Sequence, residues 1–131
     1  MFVNLLDEEQ KKYFGTLVIM AMMIDNEAAE EELEVIEGYK KELGLEELEV
    51  ITEDINEVIN YFKEASETVK NAIYLEVVTV LLADKTLKKE ESELLDKLAY
   101  AFRYDLPKMN KFIDTVKKLQ EVYDDIFELV F

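Results

Sequence analysis

Histidine, cysteine and tryptophan are missing from this sequence of 131 residues, while proline occurs once and glycine three times. Each absence excludes some chemistry. Without Cys there is no disulfide framework, no thiolate zinc site and no cysteine nucleophile. Without His there is no Ser-His-Asp triad, no imidazole ligand for a metal and no imidazole acid–base group near neutral pH. Basic residues are scarce as well: 15 Lys and Arg stand against 31 Asp and Glu, a net charge of −16. That balance argues against direct nucleic-acid binding, which needs cations along phosphate backbones. The longest uninterrupted apolar run, Leu17–Ile24, is far below the roughly 20 residues needed to span a bilayer. The segment Met1–Gln10 lacks the basic and apolar regions of a signal peptide, and neither end carries a lipidation motif. The expectation is a cytoplasmic protein without a membrane span, and the lack of Cys fits a reducing compartment.

What is present is a foldable chain. Half of its residues are hydrophobic, too many for a disordered acidic tail. The length suits one domain with a real core. No stretch alternates as a strand would, so the expected fold is all-α, a single-domain bundle of about six to seven helices. The expected helices run over about 7–24, 30–43, 53–64, 66–83 and 89–103, with a last one from Pro107 onward. Asp7 is a natural N-cap, Gly44 a natural C′ residue, and Pro107 suits the first position of a helix. In the last segment, Met109, Phe112, Ile113, Val116, Leu119, Tyr123, Ile126, Phe127 and Val130 recur at steps of three and four. That stripe predicts either one long helix or two broken near Gln120, with its apolar end docked against the body.

Two segments are apolar nearly all round: Phe14–Ile24 and Ala72–Ala83. A helix without a polar face must be surrounded by protein, so these two are expected to lie against each other at the centre. Both end in Asp, Asp25 and Asp84, which stand 59 residues apart. The same offset pairs Val18 with Val77, Met22-Met23 with Leu81-Leu82, and Ala28 with Leu87. It also pairs Glu31-Glu32 with Glu90-Glu91, Glu34 with Glu93, Val35-Ile36 with Leu94-Leu95, and Leu43 with Phe102. Two related helix–loop–helix units are implied, about 7–45 and about 66–104, around a pseudo-twofold axis, followed by the helix at 107–131.

This unit resembles the tellurite-resistance TerB-like domain, also seen at the N-terminus of DjlA-type co-chaperones. Members look like an apolar helix, then Asp-Gly-x-(Ile/Leu)-x-x-x-Glu, then a second helix, with the whole repeated. The matching residues are Asp25, Ala28 and Glu32, then Asp84, Leu87 and Glu91. The chain departs from the pattern at both Gly positions, Asn26 and Lys85. Asn tolerates a left-handed backbone well and Lys less so, which predicts an altered second loop. A J-domain is excluded, since its His-Pro-Asp needs a His. The resemblance implies a stand-alone TerB-like domain, a protein partner, and a setting in tellurite resistance or general stress response. It also implies a divalent cation at the acidic loop.

Charge bears on that last point. Asp25–Glu57 holds only Lys40 and Lys41 among many acids, whereas Lys85–Lys118 carries more base than acid. Asp25, Glu27, Glu31 and Glu32 supply hard oxygen ligands near one turn, as Ca²⁺ or Mg²⁺ requires. Asp84, Glu90 and Glu91 are the weaker equivalents, beside Lys85, Lys88 and Lys89. The spacing is not that of an EF-hand, because position 12 counted from Asp25 is Ile36. The more ordinary reading is that Asp25 and Asp84 brace their loops while the Glu pairs occupy first turns, where the helix dipole favours them. Glu34, Glu37, Glu46, Glu47, Glu53 and Asp54 extend the acidic surface.

Other residues are open to two readings. Met20, Met22 and Met23 line an adaptable groove or simply fill the core, the second being commoner. Tyr100, Phe102 and Tyr104 beside Arg103 form a recognition patch or pack a helix end. Glu76 and Thr79 interrupt an apolar helix, and pairing of Glu76 with a Lys or Tyr is the ordinary explanation. The reading that results is a non-enzymatic interaction module. The alternative is an acidic inhibitor imitating nucleic acid. An enzyme using metal-bound water ranks last, since no nucleophile signature accompanies the acids.

Overall fold

The computed structural model describes residues 2–24 and 30–131, with side chains of the second helix described from Glu34 onward. A 3₁₀ turn, Val3–Leu5, precedes six α-helices among the described residues: α1 (Glu8–Met22), α2 (Glu30–Leu43), α3 (Ile55–Lys63), α4 (Glu67–Leu81), α5 (Lys89–Phe102) and α6 (Leu106–Val130). The fold is all-α, as the sequence predicts.

Helix ends follow local chemistry. The Asp7 carboxylate accepts from the Gln10 N–H at 2.7 Å, and the Gln10 side-chain oxygen accepts from the Asp7 N–H at 3.0 Å, closing a capping box over α1. Asp54, Ser66 and Asp105 cap α3, α4 and α6 in the same manner through one side-chain acceptor each. Pro107 takes the second position of α6 rather than the first, because Leu106 is already helical after the Asp105 cap.

The 59-residue offset extends to the backbone. α1 begins at Glu8 and α4 at Glu67, and they end at Met22 and Leu81; α2 and α5 correspond in the same way. Gly44 (φ +68°) and Arg103 (φ +61°) both stop their helices in the left-handed region. The Leu45 N–H donates to the Lys40 carbonyl at 2.9 Å, and the Tyr104 N–H to the Ala99 carbonyl at 2.8 Å, so both ends close the same way. In the second loop Lys85 sits at φ +68°, the conformation that a Gly supplies freely. The Asp84 carboxylate accepts from the Thr86 N–H at 3.1 Å and braces that turn. The corresponding Asp25–Asn26 turn lies outside the described residues.

α1 and α4 pack on each other at the centre, with Phe14, Leu17, Val18, Tyr74, Val77 and Val78 fully buried. α2 covers α1, α5 covers α4, α3 bridges α1 and α5, and α6 lies along α4. Each outer helix needs only one apolar stripe.

Two expectations about α6 resolve differently. It is one continuous helix through Gln120. Its apolar end is not docked: only its first half, with Val116 buried and Met109, Phe112 and Ile113 packed on the core, covers the body. Residues 121–131 are all exposed. α6 has 25 residues and α4, the helix it lies along, 15, so α6 outruns its support.

Glu76, the carboxylate on the central helix, is paired as its burial requires. It accepts from the Tyr39 hydroxyl at 2.5 Å and from the Phe2 N–H at 2.9 Å, tying α2 and the chain's start to α4. Burial pushes the Tyr39 hydroxyl far above its usual range, and the Glu76 and Glu42 carboxylates add to it. Tyr39→Phe removes a charge-assisted donor from a buried carboxylate. The expected cost is about 1.5–3 kcal/mol, read by urea unfolding at pH 7. Burial also raises Tyr74, to about 12. A raised folded value means that stability is whole below about pH 10 and falls as pH climbs beyond it, since only the unfolded chain ionises there. The expected slope is about −1.4 kcal/mol per pH unit for each such tyrosine, and Tyr39→Phe flattens it by one tyrosine's share.

Candidate functional site

The end of α1 turns a mainly apolar surface outward. Met22 points into the core, but Met23, one position on, is 61% exposed, and Met20 is half-buried. A helix turns about 100° per residue, so adjacent methionines cannot share a face. Met20 and Met23 join Ile19, Ile24, Val50, Ile55 and Leu94 in a surface groove of about 500 Å³. Its walls are α1, the segment that leads into α3, and α5. The rim carries Glu53, Glu90, Glu93 and Lys97, leaving a net negative edge. Of the two readings of the methionines, the core one holds for Met22 and the groove one for Met20 and Met23.

One wall is an irregular segment held by a buried hydroxyl. Thr16 Oγ1 accepts from the Ile51 N–H at 3.1 Å. It lies 3.0 Å from the Glu49 carbonyl and 3.1 Å from the Lys12 carbonyl, which share its single proton. Gly15 lets that segment approach: a Cβ built there would stand 3.3 Å from Leu48 Cδ2. Gly and Thr are both costly inside a helix, and their presence in an apolar one was the available signal for this contact. Neither Thr16 nor Val50 and Lys97 stand out in the sequence, and Glu93 does so only as the repeat counterpart of Glu34.

The described acidic residues have different surroundings. Glu37 and Glu47 lie 3.0 and 3.4 Å from the Lys40 ammonium, and these contacts, led by the Glu37 hydrogen bond, raise its pKa. Glu46 and Glu47 line a second depression together with Lys11 and Lys12. Asp54 is spent on the α3 cap, Glu34 is exposed on α2, and Glu53 stands at the methionine groove.

The second-repeat acids serve separate tasks. Asp84 braces its turn, Glu91 is buried and accepts from the Lys88 N–H at 2.8 Å as part of the α5 cap, and Glu90 sits on the groove rim. Among the described residues no three carboxylates converge as a cation site. Asp25 and Glu27, and the side chains of Glu31 and Glu32, lie outside the described residues.

The aromatic cluster also divides. Phe102 and Tyr104 are buried, with Tyr104 stacked on Phe112 and donating to Asn71 Oδ1 at 2.6 Å, while Tyr100 is 88% exposed. None of these arrangements places a nucleophile beside a base. The methionine groove has a deformable apolar floor, with its charges at the edge.

Thr16→Val keeps the shape and removes the hydroxyl. It leaves the Ile51 N–H without its acceptor, so a loss of about 1–3 kcal/mol is expected in urea unfolding. Hydrogen exchange should show the Ile51 amide losing protection while that of α4 is retained.

Compared with protein-family models, with curated proteins and with solved structures, the chain matches none.

Proposed function

We propose that this chain is a non-enzymatic interaction module that holds an apolar helical segment of a protein partner in the methionine groove. The observation that carries the proposal is Met23, 61% exposed beside Met20 on an apolar floor rimmed by Glu53, Glu90 and Glu93. Exposed methionine is a signature of surfaces that re-pack around a helix's apolar face. The acidic rim favours a segment with Lys or Arg flanking its apolar stripe, and long-range attraction then speeds encounter.

A TerB-like nature is part of the same proposal, supported by two helix pairs of matching bounds and matching left-handed stops. So are its cytoplasmic setting and its role in tellurite or general stress response. A divalent cation at Asp25, Glu27, Glu31 and Glu32 is proposed on the oxygen chemistry of those residues alone. Calorimetric titration of Ca²⁺, Mg²⁺, Mn²⁺ and Zn²⁺ into the wild type and Asp25→Asn tests it. Saturable binding lost in the variant is expected, and no binding at millimolar ion removes the cation while leaving the groove reading intact.

The groove is tested with a fluorescent amphipathic peptide, Leu at helical i, i+3, i+4, i+7 spacing and Lys on both flanks. Met23→Asp should weaken its binding at least tenfold, about 1.4 kcal/mol. Glu90→Lys with Glu93→Lys should slow association and flatten its salt dependence. Equal binding by Met23→Asp contradicts the proposal.

A further inference from the structure

Among the described residues, exposed methionine is confined to one place. Of the five methionines in the chain, Met22 is 4% exposed and Met109 is half-buried against the core, whereas Met23 is 61% exposed. Met1 lies outside the described residues. Met20 stands one helical turn before Met23, half-buried, and lines the same groove. The chain has no cysteine, histidine or tryptophan. A thioether is therefore the side chain most open to a two-electron oxidant. The setting also selects the oxidant. Glu53, Glu90 and Glu93 on the rim, together with a net charge of −16, hold anionic oxidants off. A neutral peroxide meets no such barrier.

We infer that Met23 is a modification site, at which hydrogen peroxide oxidises the thioether to a sulfoxide and so releases the helix held in the groove. This rests on the proposed groove and adds its regulation. A sulfur lone pair attacks one peroxide oxygen, and the O–O bond breaks. Sulfur gives up two electrons, and the departing hydroxide takes the proton left on the transferred oxygen and leaves as water. Met20 follows more slowly, because it is half-buried. The product is no longer apolar. Its S=O dipole lies on the groove floor, where the apolar stripe of a helix offers no donor, so binding would bury it unpaired. The sulfoxide is reduced back to the thioether by methionine sulfoxide reductases, which makes the release reversible. Met22 supplies the comparison: the same side chain, next in sequence, enclosed by the core.

Millimolar hydrogen peroxide on the full chain, followed by peptide mapping in the mass spectrometer, reads the site. Sulfoxide at Met23 well before Met22 and Met109 is expected, and equal rates at the three would overturn the inference. The consequence is read with the fluorescent Leu-and-Lys peptide that probes the groove. Wild type oxidised at Met23 should bind it about tenfold more weakly, with unchanged far-ultraviolet helicity. Binding should recover with the two epimer-specific reductases and dithiothreitol. Met20→Leu with Met23→Leu removes both sulfurs. Each protein is compared with itself before oxidation, so a changed starting affinity does not enter, and this double variant should show no such loss. Undiminished binding by wild type oxidised at Met23, a loss that comes with lost helicity, or an equal loss in the double variant overturns the inference and leaves the groove standing. A wild type that binds no peptide before oxidation removes the groove itself, and the release with it.

Discussion

The mutual burial of α1 and α4 is the constraint on which the other elements depend. Neither helix has a side that water tolerates, so each must be enclosed, and together they are too wide for any single helix to cover. The outer helices follow from that need. α2 and α5 each cap one central helix, α3 closes the gap between α1 and α5, and α6 completes the cover of α4. The polar interruptions of the central pair are then forced to be useful. Glu76 has its charge answered by Tyr39 and the Phe2 N–H, and Thr16 spends its hydroxyl on an irregular segment. Both fix where a neighbour docks, which an apolar side chain of similar size would leave open.

Among the described residues, enclosure is incomplete at the ends of two helices. At the end of α1 the helix runs past its cover, and Met20, Met23 and Ile24 face a groove instead of a helix. At the end of α6 the apolar stripe stays exposed from Leu119 onward. Both surfaces arise in the same way, from a helix that remains apolar beyond the point where its own chain can cover it. They differ in chemistry. The groove is concave, floored by methionine and rimmed by acids, whereas the α6 stripe is convex and flanked by charges of both signs in sequence.

Local features were legible in the sequence because their causes are local. Asp7 caps α1 with the residues beside it, and Gly44 stops α2 by its own φ. The central pair was legible because an all-round apolar helix admits one environment only. Long-range features were not. Periodicity shows which side of α6 is apolar but not how far the body extends beneath it, so docking was expected where exposure is found. The three methionines of α1 look alike in sequence, and only the helical phase separates Met22 from Met20 and Met23. Lys11 and Lys12, remote in sequence from Glu46 and Glu47, line one depression with them only in the fold. At Lys85 the backbone takes a left-handed conformation despite the side chain, so the turn is set by its surroundings.

Native-state hydrogen exchange tests the central claim most directly. If α1 and α4 carry the fold, amides in Phe14–Met22 and Ala72–Leu81 should be the slowest. They should share one opening free energy equal to that of global unfolding, with α3 and α6 opening below it. Exchange of α1 or α4 by local opening, while an outer helix stays protected to the global limit, would contradict it.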